Sequence, residues 1–171
     1  MVTKFCLVLL TGCVMALPGE KALGEKTNTN IEYNCTAPYI PIAGHCLFFE
    51  SLSKGTWGNM QTICRLLGGD LAKLDHSDVI GDVVMYIKEH AMPESDYWIG
   101  ASDESKEGDW LWPDGSQVRM GVPLWYRCGS TVEPNGGVKQ NCAAISNGRF
   151  YYISDEDCSG ENYGICEYYW T

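Results

Sequence analysis

Between residues 56 and 91 apolar side chains recur every three or four positions, and beyond Tyr97 they come in short aromatic bursts separated by glycines. In "TWGNMQTICRLLGG" the residues Trp57, Met60, Ile63, Cys64 and Leu67 share one helical face. Thr56 is a suitable N-cap and Gly68-Gly69 a stop. A second helix is predicted over about 77–91, with Val79, Ile80, Val83, Val84 and Ile87 on one face and Pro93 beyond its end. Upstream, "YIPIAGHCLFFES" places two apolar runs around Ala43-Gly44, a hairpin signal. Downstream, "YWIGA", "DWLWPDGS", "LWYRC", "NCAAIS", "FYYISDEDC" and "GICEYYW" predict short strands. Two helices followed by many strands imply an α+β domain with an antiparallel sheet.

The first 33 residues lack this texture. Met1 to Ala16 carry one positive charge, then an apolar run ending in Val14-Met15-Ala16, as a secretory signal peptide does. Leu10-Thr11-Gly12-Cys13 offers a lipoprotein-type alternative, but the apolar stretch before it is short. Residues 17–33 are polar and aperiodic and are expected to be a flexible leader, so the folded domain is expected over 34–171. No segment holds the roughly 20 apolar residues needed to span a bilayer. Removing residues 1–16 takes away Cys6 and Cys13, leaving seven of nine cysteines. In an exported chain these read as a disulfide framework with one odd member. The formal charge of -10 argues against nucleic acid and anionic membranes as partners and suits a protein that binds cations. Asn34-Cys35-Thr36 is an N-glycosylation sequon.

The stretch "TVEPNGGVKQNC", residues 131 to 142, sets a carboxylate and a carboxamide on either side of Pro134. A cis bond before a proline turns its neighbours toward one side, and calcium takes six to eight such hard oxygens. "YWIGA", "WLWPDGS", Glu133-Pro134-Asn135, Cys142, Cys158 and Cys166 follow one another in an order that resembles the C-type lectin family over residues 35–170.

That resemblance implies a double-loop α+β domain with adjacent termini and a long calcium-binding loop. It implies the pairings Cys64–Cys166 and Cys142–Cys158, with Cys35–Cys46 in the longer form of the domain. It also implies that Glu133 and Asn135 each give an oxygen to one Ca2+ ion and hydrogen-bond the sugar hydroxyls that complete its shell. In this family Glu-Pro-Asn goes with mannose-type glycans and Gln-Pro-Asp with galactose. The implied metal set is Glu133, Asn135, Gln140, Ser154 and Asp155, of which Glu133, Asn135, Gln140 and Asp155 also face the carbohydrate.

The chain departs from the family pattern at two of these positions. Gln140 stands where a Glu is usual, and Ile153-Ser154-Asp155 replaces Trp-Asn-Asp, so the carboxylates fall from three to two. Affinity is tuned by ligand charge and rigidity, and weak binding near 10⁻⁴–10⁻³ M is expected. A second family calcium position would use Asp103 and Glu107, but Gly136, Gln140 and Asn141 replace its other carboxylates. Asp103, Glu104, Glu107 and Asp109 are therefore read as a solvated acidic turn.

Cys128 has no partner in the family scheme; a homodimer linked through it and a buried thiol are equally weighted expectations. His45, His76 and His90 are scattered, without zinc spacing, and no nucleophile elbow or phosphate loop occurs. Most tryptophans are expected in the core, with Trp125 and Tyr126 the candidates for stacking on sugar. The expectation is a secreted, non-enzymatic, calcium-dependent lectin for mannose-type glycans on microbial or host surfaces, serving recognition or agglutination in innate immunity. The alternative is a lectin-like domain that has lost sugar and recognises a protein.

Overall fold

The computed structural model describes residues 34–169. The expected signal peptide over 1–16 and polar leader over 17–33 lie outside them. Among the described residues no helix is long and apolar enough to cross a membrane.

The chain enters through a hairpin, β1 (Ile40–Ile42) and β2 (His45–Gly55). Its turn residues Ala43 and Gly44 both take positive φ, 50° and 84°, the twist that a two-residue hairpin favours. Helix α1 (Trp57–Leu66) starts where the Thr56 side chain accepts the backbone N–H of Asn59, and Gly68 follows its end at φ 88°. After β3 (Asp70–Leu71) comes α2 (Ser77–Glu89), which buries Val79, Ile80, Val83 and Ile87, while Val84 is only half-buried. The remaining strands are β4 (Tyr97–Ser102), β5 (Arg127–Cys128), β6 (Thr131–Val132), β7 (Cys142–Ser146), β8 (Tyr152–Glu156) and β9 (Asn162–Glu167).

The main sheet runs β1-β2-β9-β4-β7-β8, with β3 also on β9, and β5-β6 form a separate ribbon. Every pairing is antiparallel except β4 with β9. "DWLWPDGS" does not form the expected strand: Leu111 only bridges Ser102 and Gln117, and the backbone turns back at Trp112–Ser116. Proline and the Asp-Gly pair account for this, since both favour a turn.

Three disulfides fix the layers: Cys35–Cys46, Cys64–Cys166 and Cys142–Cys158, the pairing that the resemblance implies. The first closes the entry hairpin, the second ties α1 to β9, and the third closes the β7–β8 excursion. Apolar side chains pack on both sides of the sheet. One cluster contains α2 with Tyr97, Ile99, Trp110, Trp125 and Ile153, and the other α1 with Leu71 and Trp98. Two buried indoles place their N–H groups on the backbone: Trp57 donates to Ile99 O at 2.8 Å and Trp98 to Gly55 O at 2.9 Å. In "WIGA", Gly100 gives β4 room, because a Cβ there would stand 2.5 Å from the Leu71 carbonyl and from Pro113.

Candidate functional site

The long segment between β4 and β7 is held against β8 by its backbone. Ile153 donates to Leu124 O and Tyr126 donates to Ile153 O, both at 2.9 Å, and Glu133 donates to Tyr126 O at 3.0 Å. Trp125 therefore bridges Ile153 in parallel, and Glu133 is joined through Tyr126 to the strand that carries Asp155. The Glu133–Pro134 bond is cis, as are Ala37–Pro38 and Val122–Pro123.

Asp155 anchors the turn that follows. Its buried carboxylate accepts the Asn135 N–H at 2.9 and 3.0 Å and the Gly136 N–H at 2.6 Å. Charge-assisted bonds of this kind are the strong ones. The Glu133 carboxyl is also buried, close to that of Asp155. Burial, then contact with Asp155, push the Glu133 carboxyl well above the usual carboxylate range, against the pull of the Arg149 guanidinium.

The structure therefore brings together Glu133, Asp155 and the backbone of Asn135. The Asn135 side chain is on the exposed rim. Gln140, half-buried after the 3-10 turn Gly137–Lys139, lies against Gly136, where a Cβ would run into its carboxamide. Only glycine fits at 136 with Gln140 in this position. Ser154 is fully buried, but its hydroxyl donates to Glu156 Oε1 at 2.9 Å, so it is engaged away from Glu133.

Arg149 comes from the 3-10 turn Asn147–Arg149. Its Nε lies 3.0 Å from Glu133 Oε1 and its Nη1 2.8 Å from Glu156 Oε1, and the guanidinium sits over the Tyr126 ring at 6.0 Å. No pattern in the sequence marks it, because the backbone reversal at Phe150 and Tyr151 (φ 56° and 61°) is a tertiary feature.

Two expectations need correction. Trp125 is no sugar platform: it is fully buried, edge-on to Trp110 at 5.0 Å, with its N–H on Arg119 O. Tyr126 is half-exposed and pairs with Tyr152 at 6.4 Å. Asp103 does not belong to a solvated turn. It is 2% exposed, its backbone N–H is bound to Asn141 O, and its Oδ2 accepts the Gly108 N–H at 2.8 Å. Burial raises its carboxyl above the ordinary value. Glu104 and Glu107 are exposed, as expected. Cys128 is half-buried on β5 and takes no part in the three disulfides.

Three oxygens in this region, Glu133 Oε1, Asp103 Oδ1 and Asn141 Oδ1, are buried without a hydrogen-bond donor in line. Such oxygens suit a hard cation. Among the described residues, however, no three His, Cys, Asp or Glu side chains converge as a metal group. A cation here would depend on carboxamide as well as carboxylate oxygen.

Comparison with known proteins gives a consistent picture. Residues 53–168 match the model of the lectin C-type domain. The chain is 31% identical over 142 residues to human C-type lectin domain family 7 member A, covering 83% of this chain and 53% of that protein. It is 28% identical to a perlucin-like protein of Mytilus galloprovincialis, covering 78% of this chain and 82% of that one. Among solved structures, the mouse scavenger receptor C-type lectin carbohydrate-recognition domain superposes with a TM-score of 0.60 at 24% identity, over 78% and 96% of the two chains. The chain thus spans about half the length of the human relative.

Proposed function

Because the chain belongs to the C-type lectin family, whose members are binding proteins and not enzymes, we propose that it binds mannose-type glycans in a calcium-dependent manner. The observation that carries this reading is the turn at Glu133–Pro134–Asn135. A cis bond sets a carboxylate beside a carboxamide, and Asp155 fastens the next two amides from below.

Glu133, Asn135 and Asp155, with Gln140 at the edge, are the residues that would hold the ion. Bound calcium supplies coordination positions for two adjacent sugar hydroxyls. Glu133 accepts a hydrogen bond from one hydroxyl and Asn135 donates one to the other, which fixes the hydroxyl geometry that fits. Asp155 keeps the turn closed while its own oxygens remain beside Glu133. Tyr126 and Tyr152 provide the aromatic face nearest the turn. Weak affinity per site is compensated when several domains are displayed together. Export through residues 1–16 and glycosylation at the exposed Asn34 belong to the same proposal, as does recognition of microbial or host surfaces.

The test is retention on mannan resin in millimolar calcium with release by a chelator. A second reading, a lectin-like domain that recognises protein, is favoured by the Ser154 hydroxyl and by the Gln140 substitution, since both reduce the ligand set. That reading predicts that melting temperature and resin binding are both indifferent to calcium.

A further inference from the structure

The guanidinium of Arg149 occupies a particular place in the candidate site. Glu133 is buried, and in the absence of a bound ion a buried carboxylate needs a counter-charge or a proton. Arg149 Nε provides the charge at 3.0 Å, yet Glu133 Oε1 has no donor in line with it. The contact is thus Coulombic rather than a directed, two-pronged bond, and off-line pairs are the weaker kind. The same guanidinium has a second anchor, Nη1 on Glu156 at 2.8 Å, and the Tyr126 ring at 6.0 Å. Glu156 is itself held by the Ser154 hydroxyl.

The backbone presents Arg149 firmly. Tyr151 N–H donates to Ser146 O at 2.7 Å, Phe150 N–H to Asn147 O at 3.2 Å, and Asn147 N–H to Asp96 Oδ1 at 2.7 Å. Two consecutive non-glycine residues follow at positive φ, an arrangement that persists only where surrounding contacts impose it. It leaves Phe150 outside, 78% exposed, while Arg149 turns in toward Glu133.

We propose that Arg149 is the site's own cation, which keeps the Glu133 turn neutralised without metal and which calcium must displace onto Glu156. This rests on the calcium-dependent reading given above. It makes Arg149 a residue that sets the ion requirement of the site, and it accounts for Ser154: its hydroxyl holds the carboxylate that receives the displaced guanidinium.

The experiment titrates calcium alone into the full chain and into Arg149→Met, Arg149→Lys and Arg127→Met, reading the heat of binding and the shift in melting temperature. Arg127, exposed on β5, controls for the change in overall charge. Arg149→Met is expected to bind calcium about tenfold more tightly than the unmodified chain. Arg149→Lys should remain near the unmodified value, and Arg127→Met should change affinity less than about twofold. In the unmodified chain the Arg149 Nε–H resonance should shift on addition of calcium, a readout that needs no variant to fold. Equal calcium binding by Arg149→Met and the unmodified chain, or an unmoved resonance while calcium binds, overturns the proposal and leaves the calcium reading intact. An equal gain from Arg127→Met also overturns it, since bulk charge alone would then explain the effect. Failure of all four proteins to bind calcium removes the calcium reading and this proposal together.

Discussion

Asp155 and Asn135 stand twenty residues apart, and both carboxylate oxygens of the first accept the backbone N–H of the second, at 2.9 and 3.0 Å. This pair closes the turn that carries Glu133, and the Gly136 N–H joins it at 2.6 Å. Asp155→Asn should leave at least one of these amides poorly matched. A loss of about 1–3 kcal/mol is expected, together with loss of any stabilisation by calcium. Melting curves with and without calcium check both.

Exchanging acceptor and donor around Pro134 tests the sugar reading directly. Glu133→Gln combined with Asn135→Asp should move elution preference from mannose toward galactose. The fold should survive, because Asp155 holds the main chain of this turn and not its side chains. Unchanged preference in competition elution would mean that other residues set the choice.

The helices and the entry hairpin were legible in the sequence because their causes are local. Thr56, the spacing from Trp57 to Leu67, and the Ala43-Gly44 pair each determine their own neighbourhood. The parts that could not be read depend on contacts between distant segments. Asp103 is buried by the approach of Asn141, and Trp125 by Trp110 and the β8 strand. Arg149 reaches Glu133 only because β7 and β8 are joined by a turn at positive φ, which non-glycine residues do not signal. The motif around Pro134 identified the turn correctly but gave no indication of the arginine opposite.

Calcium binding should weaken as pH falls. Burial and Asp155 raise the Glu133 carboxyl, so protons compete for it well above the value of about 4.3 typical of a free glutamate. Titrations at about pH 8 and about pH 6 should show lower affinity at the lower pH. An ordinary exposed carboxylate would give the same affinity at both.

His45 supplies a pH effect remote from the site. Its Nδ1 lies 2.6 Å from Glu167 Oε1, and this hydrogen bond raises its pKa against the opposing effect of burial. The folded chain therefore holds the proton more tightly than the unfolded one. Its contribution is complete below the unfolded pKa of about 6.5 and is lost as pH rises through the higher folded value. Melting temperature should fall across that window in the unmodified chain, and His45→Gln should flatten the slope.

Trp125 and Tyr126 separate core from binding surface. Trp125→Ala should cost about 3–5 kcal/mol in urea unfolding, whereas Tyr126→Ala should leave the unfolding midpoint nearly unchanged while weakening retention on mannan. The reverse pattern would return Trp125 to the role first expected of it.

The order of strands has a practical consequence. β1 and β2, which begin the described chain, form one border of the main sheet, and β9, which ends it, lies next to β2, while the strand bearing Asp155 forms the opposite border. A bead, a chip or a neighbouring module fastened to β1 or β9 would therefore sit on the side of the sheet away from Asp155. The turn around Pro134, fastened by Asp155, would stay clear of such an attachment.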